Sequence, residues 1–224
     1  MAVHLEKNTW VELNLDVLKN NIQSLKHSLG PKTEIIFVVK ANAYGHGMVP
    51  VAKKAWESGV RWFAVAHIDE AVSLRRVLPQ ANIIMVGVIS SQELHVAIEN
   101  RVLPFVVSLR HAEELSDAVS DNFLYCHVKV DTGMGRLGFW HEEAMGFIKK
   151  IAGLKNIIID GIFTHFPNAE ADRVFTYSQI SNFKRLVEDL WNNNIDIPIK
   201  HTANSMGLID FKDSHMNMVR PGLM

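Results

Sequence analysis

Short, continuously apolar runs alternate with stretches that repeat their apolar residues every three or four positions. The apolar runs fall at 34–40, 61–66, 82–88, 102–108, 124–131, 157–165, 197–203 and 216–220. Runs such as IIFVV and NIIMVGV carry no polar alternation, the mark of strands covered on both faces. Between and before them lie helix signals. Leu18, Ile22, Leu25 and Leu29 form one stripe in a helix predicted over 16–29, which Gly30-Pro31 ends. Ser90 followed by Glu93 has the form of a capping box, opening a helix that holds Leu94 and Ile98. A helix over 141–152 stops at Gly153, and the longest, 175–191, stops near Asn192-Asn193-Asn194.

Eight strands with helices between them predict an α/β fold, a (β/α)8 TIM-type barrel. An open doubly wound sheet is the alternative. The barrel is preferred because polar residues recur where strands end: Lys40, Asp131, His165, Asn204 and Arg220. Barrel enzymes gather their chemistry at that rim. Residues 1–33 are an N-terminal strand/helix addition to a single domain over 1–224. A closing eighth helix is expected beyond Met224, so the chain reads as truncated after strand eight.

Composition narrows the partners. With 23 Lys+Arg against 24 Asp+Glu, the chain lacks the basic field that nucleic acid requires. No apolar run approaches the roughly 18–20 residues that span a membrane. MAVHLEKNTW has no signal-peptide pattern, and the expected address is the cytoplasm. The single cysteine, Cys126, excludes an intramolecular disulfide and a Cys-based zinc site, and reads as a buried, inert thiol. None of the eleven histidines pairs with another at convincing metal-ligand spacing, and no metal is expected.

Several residues have two readings. Lys40 shares a strand face with Ile36 and Val38, apolar surface that disfavours its ammonium form, and a neutral amine is what condensation with an aldehyde requires. As a strand-end lysine it could equally extend its charge to water. The residues after it favour chemistry: Asn42, Gly45 and Gly47 allow a sharp turn and close backbone approach, and Tyr44 offers a hydroxyl. Asn204 and Ser205 after strand seven, with Pro221-Gly222-Leu223 after strand eight, are where barrels often build phosphate sites, but helix capping explains the first two as well. Arg220 is either a structural ion-pair partner or a site residue. His127, Lys129 and Asp131 share one face of strand five, where Asp131 could neutralise Lys129. His165 by itself reads as a satisfied core histidine.

The blocks KANAYGHG at 40–47, VKVDTGMGRLGF at 128–139, GIFTHF at 161–166, HTANS at 201–205 and MVRPG at 218–222 resemble, in order, those of bacterial alanine racemases. The resemblance implies pyridoxal 5′-phosphate (PLP) carried on Lys40, with Tyr44, Asn204, Ser205, Gly222 and Leu223 around its phosphate. It implies Arg220 at the pyridine nitrogen, His165 packed on the ring, and Arg136 at the phenolic oxygen and the substrate carboxylate. His201 is placed to link Arg220 to neighbouring polar groups. Lys129 matches a lysine that the family often carries as a carbamate, an anion that would orient Arg136.

The implied activity is interconversion of L- and D-alanine, supplying D-alanine for peptidoglycan, in a homodimer. Lys40 is one base; the second is a tyrosine of a C-terminal β-domain from the partner subunit, and residues 3–13 are expected near that domain. The alternatives are a non-catalytic single-domain PLP carrier, whose length fits better but which lacks TGMGR, HTANS and MVRPG, and a racemase of serine or another small amino acid.

Overall fold

In a computed structural model, residues 10–119 and 122–222 are described. Among the described residues, helix α1 (Leu15–Ser28) comes first, its start held by Asn14, whose side chain accepts from the N–H groups of Asp16 and Val17. The eight predicted strands come next: β1 (Glu34–Val38), β2 (Trp62–Val65), β3 (Asn82–Met85), β4 (Val102–Val106), β5 (Leu124–Asp131), β6 (Ile157–Phe163), β7 (Ile199–His201) and β8 (Met218–Val219). Every neighbouring pair is parallel, and β8 against β1 together with β4 against β5 closes the barrel.

The crossovers carry α2 (Met48–Glu57), α3 (Ile68–Val77), α4 (Leu94–Glu99), α5 (Leu109–Ala118), α6 (Ala144–Ala152), α7 (Arg173–Asn192) and α8 (Ser205–Asp210). Helix α7 is the longest, 20 residues, as its pattern predicts. Two helix starts differ from expectation. Ser90 donates its N–H and hydroxyl to the Glu93 carboxylate, and α4 begins only at Leu94. Helix α6 begins at Ala144 because Phe139–Trp140 first adds a short parallel strand to the end of β5. Gly153 does end α6, but with φ −84° rather than in the left-handed cap conformation.

Strand alternation sorts the core into two layers. Ile35, Phe37, Phe63, Ile83, Val128 and Ile162 face the helices. Ile36, Ala64, Ile84, Phe105, Phe163 and Met218 fill the barrel axis. Cys126 lies in the outer layer, fully buried, where burial pushes its thiol up to about 12. Two histidines, His127 and His201, are fully buried among the axial residues, with His201 stacked on Phe163 at 4.9 Å.

Candidate active site

Strand β1 ends at Val38, and the next turn is unusual. Ala41, Asn42, Ala43 and Tyr44 all take left-handed φ of 51–54°. For residues bearing a Cβ this costs roughly 1–2 kcal/mol each, so the surroundings must hold it. Asn42 Oδ1 accepts from the Met48 N–H at 2.8 Å, and its own N–H points to Glu70 Oε1 at 3.4 Å. The Gly45 and Gly47 N–H groups return to the Asn42 carbonyl at 3.2 and 2.9 Å. Both glycines have φ of 90°, as their placement in the motif predicts. The left-handed alanines carry no signal in the sequence. The turn sends Lys40 and Tyr44 into one cavity at the C-terminal mouth of the barrel, of about 380 Å³.

That cavity gathers Lys40, Tyr44, Lys129, Arg136, His165, Asn204, Ser205, Arg220 and Gly222, every predicted site residue but one. The exception, Leu223, lies outside the described residues, as do residues 3–9. Apolar walls come from Val38, Val86, Phe105, Val107, Leu137, Phe163 and Met206. Several of these were missed by sequence reasoning, because an apolar residue at a strand end looks the same whether it lines a cavity or a core.

One side of the cavity is a cradle of donors. The Gly222 N–H donates to Ser205 Oγ at 3.1 Å. A Cβ on Gly222 would sit 2.8 Å from the Tyr44 hydroxyl, so only glycine leaves that approach open. Burial raises the Tyr44 phenol above its ordinary value and keeps it a donor. Asn204 does what capping predicts: Oδ1 accepts from the Gly207 N–H at 2.9 Å, and Nδ2 donates to the Phe166 carbonyl at 3.1 Å.

The floor is cationic. Arg220 is buried and donates from Nη1 to His201 Nδ1 (2.7 Å) and the His201 carbonyl (2.9 Å), and from Nη2 to the carbonyls of Thr164 (2.7 Å) and Thr202 (3.0 Å). Among the described residues it forms no ion pair, so it is not the structural partner of a carboxylate. Burial pushes it down to about 9, still charged at neutral pH.

Lys129 is 4% exposed, and its Nζ donates to the Val130 carbonyl at 2.6 Å. Burial pushes it down to about 7, against the pull of Asp131 and with the push of Arg220 and Arg136. Asp131 does not pair with Lys129 within ion-pair distance, contrary to the simpler expectation. Its carboxylate instead accepts from the N–H groups of Gly133 (2.8 Å), Met134 (2.7 Å) and Arg136 (3.1 Å), folding the TGMGR loop so that Arg136 reaches the cavity. His165 is held down to about 3, first by burial and then by the surrounding cations, so its ring is neutral.

A parallel barrel that brings a lysine after strand one, hydrogen-bonding groups after strands seven and eight and two arginines to one cavity at its C-terminal mouth has the layout of a barrel enzyme, whose chemistry sits at that face. Residues 13–224 match the family model described as the alanine racemase N-terminal domain, and the chain belongs to that family. It is 42% identical to an alanine racemase of Methanococcus maripaludis over 96% of its length and 41% identical to one of Halothermothrix orenii over all of it. It spans only 59% and 60% of those two relatives. Among solved structures, the alanine racemase of Clostridium difficile in complex with cycloserine superposes with a TM-score of 0.93 at 35% identity, covering 98% of this chain and 61% of that one. That of Bacillus anthracis with bound L-Ala-P gives 0.90, also at 35% identity, covering 98% and 57%.

Proposed function

We propose that the chain is the PLP-binding barrel of an alanine racemase, residues 1–224 forming one domain with an N-terminal addition over 1–33. The observation that carries the reading is the convergence of the lysine, the donor cradle and Arg220 on one cavity. This donor set fits PLP: Tyr44, Ser205 and the Gly222 approach suit a phosphate, and a neutral His165 suits the face of an aromatic ring. Arg220 suits a ring nitrogen that accepts a hydrogen bond, because a guanidinium donates and never accepts.

When bound, PLP supplies an aldehyde that takes an amino group and draws electron density from Cα, making the Cα proton acidic. The chain's own residues do the rest. Lys40 holds the cofactor and moves a proton at one face of Cα, and Arg136 orients the substrate carboxylate. A racemase needs a base on each face. Tyr44 belongs to the phosphate cradle, while Tyr125 and Tyr177 line other surfaces. We therefore assign the second base to the tyrosine that the family resemblance supplies from a partner's β-domain, in a homodimer.

The substrate is a small amino acid, in keeping with the cycloserine and L-Ala-P bound by the solved relatives. We place the enzyme in the cytoplasm, supplying D-alanine; no helix among the described residues is long and apolar enough to cross a membrane. A PLP carrier is the weaker reading, since the matched family is that of the racemases.

The test is borohydride reduction of the chain saturated with PLP, followed by peptide mapping. The adduct is expected on Lys40 and lost in Lys40→Ala. An adduct spread over surface lysines, or surviving in Lys40→Ala, would overturn the reading.

A further inference from the structure

Arg220 is a buried cation whose partners are carbonyls and imidazole nitrogens, with no carboxylate in ion-pair range among the described residues. A file of polar atoms nevertheless runs from it down the barrel axis. His201 Nδ1 lies 2.7 Å from Arg220 Nη1, and His201 Nε2 lies 2.8 Å from His127 Nδ1. His127 Nε2 is buried with no hydrogen-bond partner among the described residues, and the nearest anion is Asp160 Oδ2 at 3.8 Å.

The chemistry of the donors fixes the direction of this file. A guanidinium has no lone pair to offer, so His201 Nδ1 must accept and the His201 proton sits on Nε2. That N–H must donate to His127 Nδ1, which places the His127 proton on Nε2, facing Asp160. Both rings are neutral, since burial holds each below its ordinary value. Every dipole in the file then points the same way, cation at one end and carboxylate at the other, and each polarises the next.

The backbone is shaped to put the carboxylate there. The pairing of β5 with β6 shifts register at this point: Cys126 pairs with Ile159, but His127 pairs with Gly161, leaving Asp160 as an extra residue in a bulge. Phe163 lies in the axial core, so simple alternation would turn Gly161 and Ile159 inward and Asp160 outward. Ile159 instead packs with the outer layer, and the bulge brings Asp160 to His127. The glycine beside it is required as well, because a Cβ at Gly161 would lie 2.6 Å from His127 Cγ. Asp160 also lines a separate cavity with Trp62, Asn82 and Tyr125, so the file links the catalytic mouth to a second cavity.

We propose that Asp160 is a positioning residue for Arg220, acting through His127 and His201 as neutral imidazoles that both carry their proton on Nε2. The importance of Arg220 rests on the proposed function; the file itself does not. The test is long-range proton–nitrogen correlation NMR of the full chain labelled with ¹⁵N-histidine and ¹⁵N-arginine, without PLP. In the native chain, both rings are expected in the Nε2–H tautomer at pH 7. Asp160→Asn, isosteric and uncharged, is expected to move the Nε2–H resonances of both histidines and to speed solvent exchange of the Arg220 guanidinium protons several-fold. Asp117→Asn, an exchange at an exposed position of α5, should move none of them. A proton on Nδ1 of His127 in the native chain overturns the proposal even if the variant fails to fold. So does an effect of Asp160→Asn confined to His127. Failure of PLP to attach to Lys40 would count against the proposed function alone.

Discussion

Lys129 offers the sharpest quantitative test of the site. Its fall from the ordinary lysine value of 10.5 to about 7 corresponds to a penalty of roughly 5 kcal/mol on the charged form. At pH 8 about nine-tenths of the amine is therefore neutral, against less than about 1% for an ordinary lysine. Only the neutral amine combines with carbon dioxide. As the N–C bond forms, one amine proton passes to solvent, so the product is an anion, and it would form beside Arg136 and Arg220, the two cations that oppose the ammonium.

With ¹³C-bicarbonate at pH 8, a protein carbamate carbon should appear by ¹³C NMR and vanish in Lys129→Met, which keeps the bulk of the side chain without its amine. Bicarbonate should also raise the melting temperature of the native chain and leave that of Lys129→Met unchanged. In buffer free of carbon dioxide, the unfolded chain binds more protons at Lys129 than the native state between about pH 7 and 10.5, so stability should rise with pH across that window. No carbamate carbon in the native chain, or the same signal in Lys129→Met, would refute this account of the lysine.

Three further outcomes rest on geometry. Ala41→Gly relieves a left-handed residue on an exposed turn, and urea unfolding should show a gain of about 0.5–1 kcal/mol where the same exchange elsewhere costs that much. Gly222→Ala places a Cβ against the Tyr44 hydroxyl; PLP affinity, followed by absorbance titration, should fall at least about tenfold, equivalent to roughly 1.4 kcal/mol, with little change in melting temperature. With PLP in deuterated water, the chain alone should exchange the α-proton of one alanine enantiomer with retention, read by NMR, while racemising far below a typical roughly 10 s⁻¹. Equal exchange of both enantiomers would place a second base in this chain.

The barrel was legible because each strand announces itself locally: apolar runs of five to nine residues, helical stripes between them and polar residues at the strand ends. The site was legible for the same reason, since a barrel carries the residues after its strands to one rim. The features that stayed hidden depend on contacts between distant segments. Ala41 and Ala43 look like helix formers, and their left-handed turn exists because Asn42 bonds Met48 and the glycines close on its carbonyl. Asp160 sits in a run whose alternation would send it outward, and only pairing with β5 reveals the bulge that turns it in. Asp131 shares a face with Lys129, yet its geometry suits the backbone of the adjoining loop better than the ammonium.

Charge balance joins these features. The cavity holds Lys40, Lys129, Arg136 and Arg220, and its carboxylate neighbour Asp131 is engaged by three backbone N–H groups. Tyr44 and His165 remain neutral, one raised by burial and the other lowered. Such a cluster is costly until anions arrive, because buried like charges disfavour one another. The proposed ligands supply anions at three places: a phosphate at the Tyr44–Ser205 cradle, a substrate carboxylate at Arg136 and a carbamate at Lys129. Arg220 differs from the other cations in receiving none of them. In the proposed reading it meets a ring nitrogen, and its counter-charge is Asp160, reached through two histidines; His201 and the Thr164 and Thr202 carbonyls hold the guanidinium at the cavity floor, with no carboxylate in ion-pair range among the described residues to neutralise it there.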